Sequence, residues 1–524
     1  MNWTSIRALI VAFSAVAGTA DAIRAHEPLS AIEWLENPPP VVRRVVPGTG
    51  GIQGPRPIEP PVTDTAAVPQ VTVSPLDRVS VAAVGLLPAS VTGLPRDLWR
   101  SSATTSLTAA LARQDVLAFP AMQSLLYTLL LAEADPPADS GSGHAFLKGR
   151  ISKLLELGAA EAAQALLERT GPETPALFPL WFDISLLSGT EEAACNSLNE
   201  KPFLSPSVPA RIYCAARGGD WAAAAVMFDS AVALDMIDAT ERHLIAIYLD
   251  PELAETNVEP APPAKMTPLV FRLFEAAGTP LPTLSLPRVY AMTDLRDTVG
   301  WKAELEAAER LTRTGALSEN RLMALYTARR PAASGGIWDR VEAIRRFDAA
   351  LQSGNAEAVA TSLGRAWRAM QSVHLEVPFA RFYAKDLTQV PLTGPARGLA
   401  LSVGLLSPDY EMIAAAADPQ TPDERFLVAL ARGEPRSTLA RDPLLRTIAR
   451  AFEAEGPPEA LQPLLETGKL GEAILQAMTL FSSGASGNLG QLESALQGLR
   501  AMGLEDSARR ASLQLILLNQ GELQ

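Results

Sequence analysis

Residues 211–236, RIYCAARGGDWAAAAVMFDSAVALDM, read as helix, tight turn, helix. Gly218 and Gly219 can end the first helix, because glycine takes the left-handed conformation of a C-terminal cap without a Cβ clash. Asp220 can start the second by accepting a hydrogen bond from a backbone N–H that the first turn leaves without a partner. Ala224, Phe228 and Ala231 follow at spacings of four and three, which is one helix face, with alanines where a neighbour must come close. Trp221 and Phe228 are expected in the contact between helices.

The same punctuation recurs outward from this unit. Gly158, Gly189 and Gly219 lie about thirty residues apart, the length of one helical hairpin, and each precedes small or acidic residues and then alanines. Helical periodicity runs through 97–113, 121–134, 144–157, 159–169, 176–187, 190–199, 208–217, 221–235 and 239–248, and no alternating strand interrupts it. Past the prolines at 260, 262 and 263, similar glycines return at 315, 354, 468 and 503. Val377-Pro378 and Val390-Pro391 are each expected to push the chain out of helix, since proline disfavours helical backbone in the residue before it.

The turn and second helix, Gly219-Asp220-Trp221 with Ala224, Phe228 and Ala231, resemble a tetratricopeptide repeat. The first helix departs from that family, with Ile212 and Ala215 standing at its glycine and aromatic positions. Other units match at the turn glycine and an alanine five on, as in Gly158 with Ala163, Gly468 with Ala473 and Gly503 with Ala508. The resemblance implies an all-α fold, an α-solenoid of hairpins whose concave face binds proteins or peptides, and it implies no catalytic residues.

Composition agrees with helices. Apolar residues make up 48% of the chain and aromatics only 6%, so a core must be built from Ala, Leu and Val, which closely packed helices tolerate. A formal charge of −13 and a pI near 5.0 argue against a nucleic-acid binder, which needs a basic face to neutralise phosphates.

Residues 1–22 read as a signal peptide. Arg7 supplies a positive start, 8–20 are uncharged and largely apolar, and Ala20-Asp21-Ala22 gives the cleavage pattern. An uncleaved membrane anchor is the alternative, though the apolar run falls short of the ~20 residues a spanning helix needs. The mature chain is therefore expected to be periplasmic or secreted, with no stable transmembrane segment. Residues 23–76 are rich in proline and glycine and are expected to be disordered. Within them, 29–36 holds a short helical motif, Leu29, Ile32, Trp34 and Leu35, which is a candidate partner-binding motif, a segment that docks onto its own domain, or idle. The remainder divides into helical-repeat regions at 77–254 and 269–524 joined by a linker at 255–268.

Cys195 and Cys214 are the two cysteines. In an oxidising compartment they suggest a disulfide, worth about 3 kcal/mol for a loop of this size in the chain-entropy model. Two buried free thiols are the other reading.

The residues that carry chemistry form no recognisable catalytic motif. The histidines at 26, 144, 243 and 374 form no i, i+4 pair and no H-E-x-x-H, so no metal site is expected. Ser140 to His144 lacks the strand and G-x-S-x-G of a nucleophile elbow, and the glycines at 48–54 lack the lysine of a phosphate loop. Glu191-Glu192, Asp250 with Glu252 and Asp423-Glu424 fit helix-start charges, and Glu493-Ser494 sits in a plain amphipathic helix rather than in the lysozyme-like domain of a transglycosylase. No catalytic residue and no cofactor is expected. The leading expectation is a non-catalytic adaptor binding protein partners in an envelope assembly serving motility, secretion or the cell wall. A peptidoglycan-active enzyme with a divergent catalytic region is the alternative.

Overall fold

The computed structural model describes residues 83–142, 144–255, 261–331 and 333–519. The expected signal peptide, the tail at 23–76 and the motif of Leu29, Ile32, Trp34 and Leu35 lie outside the described residues. Among those described the chain is all-helical; no strand forms, and an isolated bridge joins Leu87 to Ala132. No described helix is long and apolar enough to cross a membrane.

The helices follow in order: α1 (Ala89–Thr92), α2 (Thr104–Ala112), α3 (Pro120–Leu131), α4 (His144–Leu157), α5 (Ala160–Thr170), α6 (Phe178–Ser188), α7 (Glu192–Glu200), α8 (Val208–Arg217), α9 (Trp221–Ala233) and α10 (Ala239–Leu249). Then come α11 (Pro268–Ala276), α12 (Trp301–Thr312), α13 (Glu319–Ala328), α14 (Ile337–Gln352), α15 (Ala356–Gln371), α16 (Glu376–Leu387) and α17 (Gly394–Leu405). The series ends with α18 (Tyr410–Ala416), α19 (Pro422–Ala431), α20 (Pro443–Glu453), α21 (Gln462–Glu466), α22 (Leu470–Ala485), α23 (Leu489–Ala501) and α24 (Glu505–Asn519).

Neighbours in sequence pack as pairs, with α8 on α9, α14 on α15 and α22 on α23 in the most extensive contacts. The α8–α9 turn forms as its residues dictate: Gly219 takes φ 88°, and the Asp220 side chain accepts from the Ala223 N–H at 3.0 Å. Gly158 also has positive φ, and a Cβ there would lie 2.6 Å from Leu311, so the α4–α5 turn is pressed against α12. Pro378 departs from expectation. It lies inside the first turn of α16, where a backbone N–H would have no partner within the helix, so proline's missing donor costs nothing and its fixed φ is compatible with helix. Helix α2 begins at Thr104 rather than near Asp97, because 96–102 form turns.

Contacts also run far along the chain. Past residue 260, α11 packs on α6 and α10, and the 3-10 helix Arg288–Leu295 packs on α4, α6 and α12. The described residues up to 255 and from 261 therefore share one core. The first and last helices meet as well. Gln114 donates to the Leu475 carbonyl and to Thr479, Gly471 N–H donates to the Leu98 carbonyl, Ala121 N–H donates to Gln514, and Phe119 packs edge-on to Phe481 at 5.1 Å. A linear stack leaves its end helices apart, whereas here α2 meets α22 and α3 meets α24. Between these ends α3 is deeply buried, with Leu126, Leu129, Leu130 and Leu131 fully enclosed. Its last carbonyls and that of Val84 accept from the buried Arg150 guanidinium, which burial alone lowers in pKa to about 10.

Candidate partner-binding surface

Helix α9 stands apart in how little of it the fold uses. It packs chiefly on α8 and more lightly on α10, and of its thirteen residues only Ala224 and Ala231 are buried. Phe228 is partly buried against the core. Trp221 is a correction to the sequence reading: it is 50% exposed, because it begins a helix covered on one side only and rests its ring on Tyr248 at 6.0 Å. Val226 (66%), Leu234 (70%) and Met236 (54%) are exposed along and just beyond the same helix, together with Ala222, Ala225 and Ala233. Asp229 is the one charged side chain on the helix, and the Ser230 hydroxyl is already satisfied by the Val226 carbonyl.

The base of this surface is rigidly built. Cys195 of α7 and Cys214 of α8 are buried at bonding distance, 2.08 Å between sulfurs and 4.8 Å between Cα atoms, and neither is free. Asn199 also ties α7 to α8 by donating to the Cys214 carbonyl at 3.0 Å. A run of rings climbs from the core to the surface: Phe178 on Phe182, Phe182 on Tyr213, Tyr213 stacked on Tyr248 at 5.2 Å, and Tyr248 against Trp221. Burial, then the nearby Glu191 carboxylate, pushes the Tyr213 hydroxyl far above its usual pKa, so it serves as a donor.

Glu191 receives that hydrogen bond. Its Oε1 accepts from the Tyr213 hydroxyl at 3.1 Å and lies 3.4 Å from Arg272 and 3.5 Å from Arg217, while Oε2 has no hydrogen-bond partner among the described residues. Both stand at the helix start as expected, Glu191 at the N-cap of α7 and Glu192 in its first turn, but Glu191 is 1% exposed and also anchors α8 and α11. The signal for the surface was present in the sequence. A helix that is apolar all round is either buried all round or waiting for a cover, and α9 is not buried.

The remaining titratable groups do not converge. Burial raises Asp183 on α6 to about 6 and Glu376 on α16 to about 7. His144 Nδ1 lies 3.3 Å from the Ser142 hydroxyl in an exposed loop, His243 lies on α10, and His374 follows α15 with φ 54°. No group of three His, Cys, Asp or Glu is placed to hold a metal among the described residues. A cavity of about 460 Å³ between α14 and α16 is lined by Asp348, Phe382, Tyr383 and Asp386, and the Tyr383 hydroxyl donates to Asp348 at 3.2 Å. A second, of about 260 Å³, lies beside Pro282, Asp294 and Arg310.

Glu376 carries a pH prediction. Its carboxyl titrates at an ordinary 4.5 when unfolded and near 7 when folded, so the folded state holds the proton more tightly. The resulting cost is absent below about pH 4, grows as pH rises through the folded value, and is complete above it. Glu376→Gln is therefore expected to raise stability by about 2 kcal/mol at pH 8 and by nothing at pH 4, read by urea melts of both chains at the two pH values.

No known protein family, curated protein or solved structure matches the chain.

Proposed function

We propose that the protein is a non-catalytic helical-hairpin scaffold, an exported adaptor that docks protein partners of a bacterial envelope assembly on the outer face of α9. The observation that carries this reading is the set of exposed apolar side chains Trp221 and Val226 on α9, where Asp229 is the one charge, and Leu234 and Met236 just past its end on either side of Asp235. Clustered apolar side chains at a surface mark interaction sites, and an aromatic anchor on a fixed base is the usual centre of such an interface. Tyr248, Tyr213 and the buried Glu191 supply that base.

Export is supported by the signal-peptide pattern of 1–22 and by the cysteine pair, which suits an oxidising compartment. The tetratricopeptide-like hairpin arrangement is supported by the left-handed turn glycines 158, 189, 219, 315, 354, 468 and 503. In this reading the hairpins curve back on themselves, since α2 meets α22 and α3 meets α24.

The test is affinity capture from an envelope extract with the chain and with its Val226→Asp, Leu234→Asp, Met236→Asp variant. A stoichiometric partner captured by the first and reduced at least tenfold with the second is expected. All three positions are exposed, so unchanged thermal melting is expected alongside. A chain that elutes alone at monomer size, or a partner indifferent to the three substitutions, overturns the proposal.

A further inference from the structure

We infer that residues 29–36, LSAIEWLE, dock onto the outer face of α9 in the same chain, through Leu29, Ile32, Trp34 and Leu35 against Trp221, Val226, Leu234 and Met236. The inference rests on the α9 face being a binding surface and names an occupant that travels with it. Leu29, Ile32 and Leu35 recur every three residues, the spacing of one side of a helix, in a stretch otherwise dominated by proline and glycine. An eight-residue segment with this apolar spacing is matched in kind to a surface whose exposed polar side chains are Asp229, Ser230 and Asp235. Glu33 and Glu36 flank Trp34, and Arg217, about half exposed beside Tyr248, offers them a cation.

The connection is long enough. The described chain begins at residue 83, and the Val84 carbonyl is held by Arg150 of α4. From α4 to α9 the chain passes through five successive helix contacts, roughly 50 Å at 8–10 Å each. The residues from 37 to 82 can reach at most about 150 Å. Being on one chain also gives the segment an effective concentration on the order of 1 mM, so weak docking is enough.

A second copy of the chain is the poorer occupant. A helix face about 20 Å long and 10 Å wide falls well short of the ~800 Å² per partner that a stable dimer buries.

The experiment uses the full chain, exported and purified, with Leu35 replaced by photo-reactive p-benzoylphenylalanine and Trp34 retained. Irradiation at low micromolar concentration is expected to give a cross-link at monomer size, which peptide mass spectrometry places within residues 221–236. Trp34→Ala, and separately Val226→Asp with Leu234→Asp, should each reduce its yield at least fivefold. Cross-links confined to dimers, cross-links elsewhere on the chain, or none, overturn the inference. Loss of the cross-link with α9-dependent capture intact removes only the docked segment. A cross-link at α9 in a chain that captures nothing removes only the scaffold.

Discussion

Gly471→Ala is expected to destabilise the protein by about 3 kcal/mol, and Gly490→Ala to stabilise it by about 0.5 kcal/mol, although both exchange glycine for alanine in neighbouring helices. Gly471 lies in the first turn of α22, where its N–H donates to the Leu98 carbonyl. A Cβ there would fall 2.4 Å from the Trp99 ring and 2.9 Å from the Leu98 oxygen. Trp99 cannot retreat, since it is 1% exposed and braced edge-on by Phe146 at 5.5 Å. Overpacking of this kind costs about 1–3 kcal/mol or more, and the upper end applies where backbone as well as ring must move. Gly490, exposed on α23, meets only the Asn488 side chain at 3.8 Å, so alanine there gains helix propensity without a clash. Denaturant melts of the two variants read the difference. Equal effects would mean that α22 does not press on the N-terminal residues, and the joined ends of the chain would lose their support.

That contact marks where sequence reading stops. Local signals carried the elements well. His144–Leu157 and Val208–Arg217 fall where periodicity and capping residues put them, because a cap and an apolar stripe are written in adjacent residues. Gly471 carries no local mark of its partner, since Trp99 lies hundreds of positions away and the need for a missing Cβ arises only when the ends meet. The same reasoning explains Trp221. Its spacing to Phe228 describes a helix face, but whether another helix covers that face depends on where the rest of the chain goes. The all-round apolarity of α9 was legible, and it left burial and exposure equally open until its neighbours were known to be α8 and α10 alone among its main contacts.

Glu191 and Glu192 are adjacent and chemically identical, and their removal should differ severalfold. Glu191→Ala is expected to cost about 3 kcal/mol, against ~0.5 kcal/mol for Glu192→Ala, which loses only its favourable place in the first turn of α7. The larger figure follows from what Glu191 leaves behind. The Tyr213 hydroxyl, in a side chain 4% exposed, loses its acceptor, and an unmet buried donor costs about 1–3 kcal/mol. Arg272 loses one of its two carboxylates and keeps Glu275, so its share is smaller than that of a wholly orphaned buried charge. Arg217 is more than half exposed and adds little. Glu191→Gln retains an acceptor for Tyr213 and should cost about 1 kcal/mol. Tyr213→Phe combined with Glu191→Ala should cost less than the two separate losses added together, because the hydroxyl that suffers from the first change is absent in the second. Urea melts of this set decide the matter: a Glu191→Ala chain as stable as Glu192→Ala would show that the carboxylate does not hold the aromatic base on which Trp221 stands.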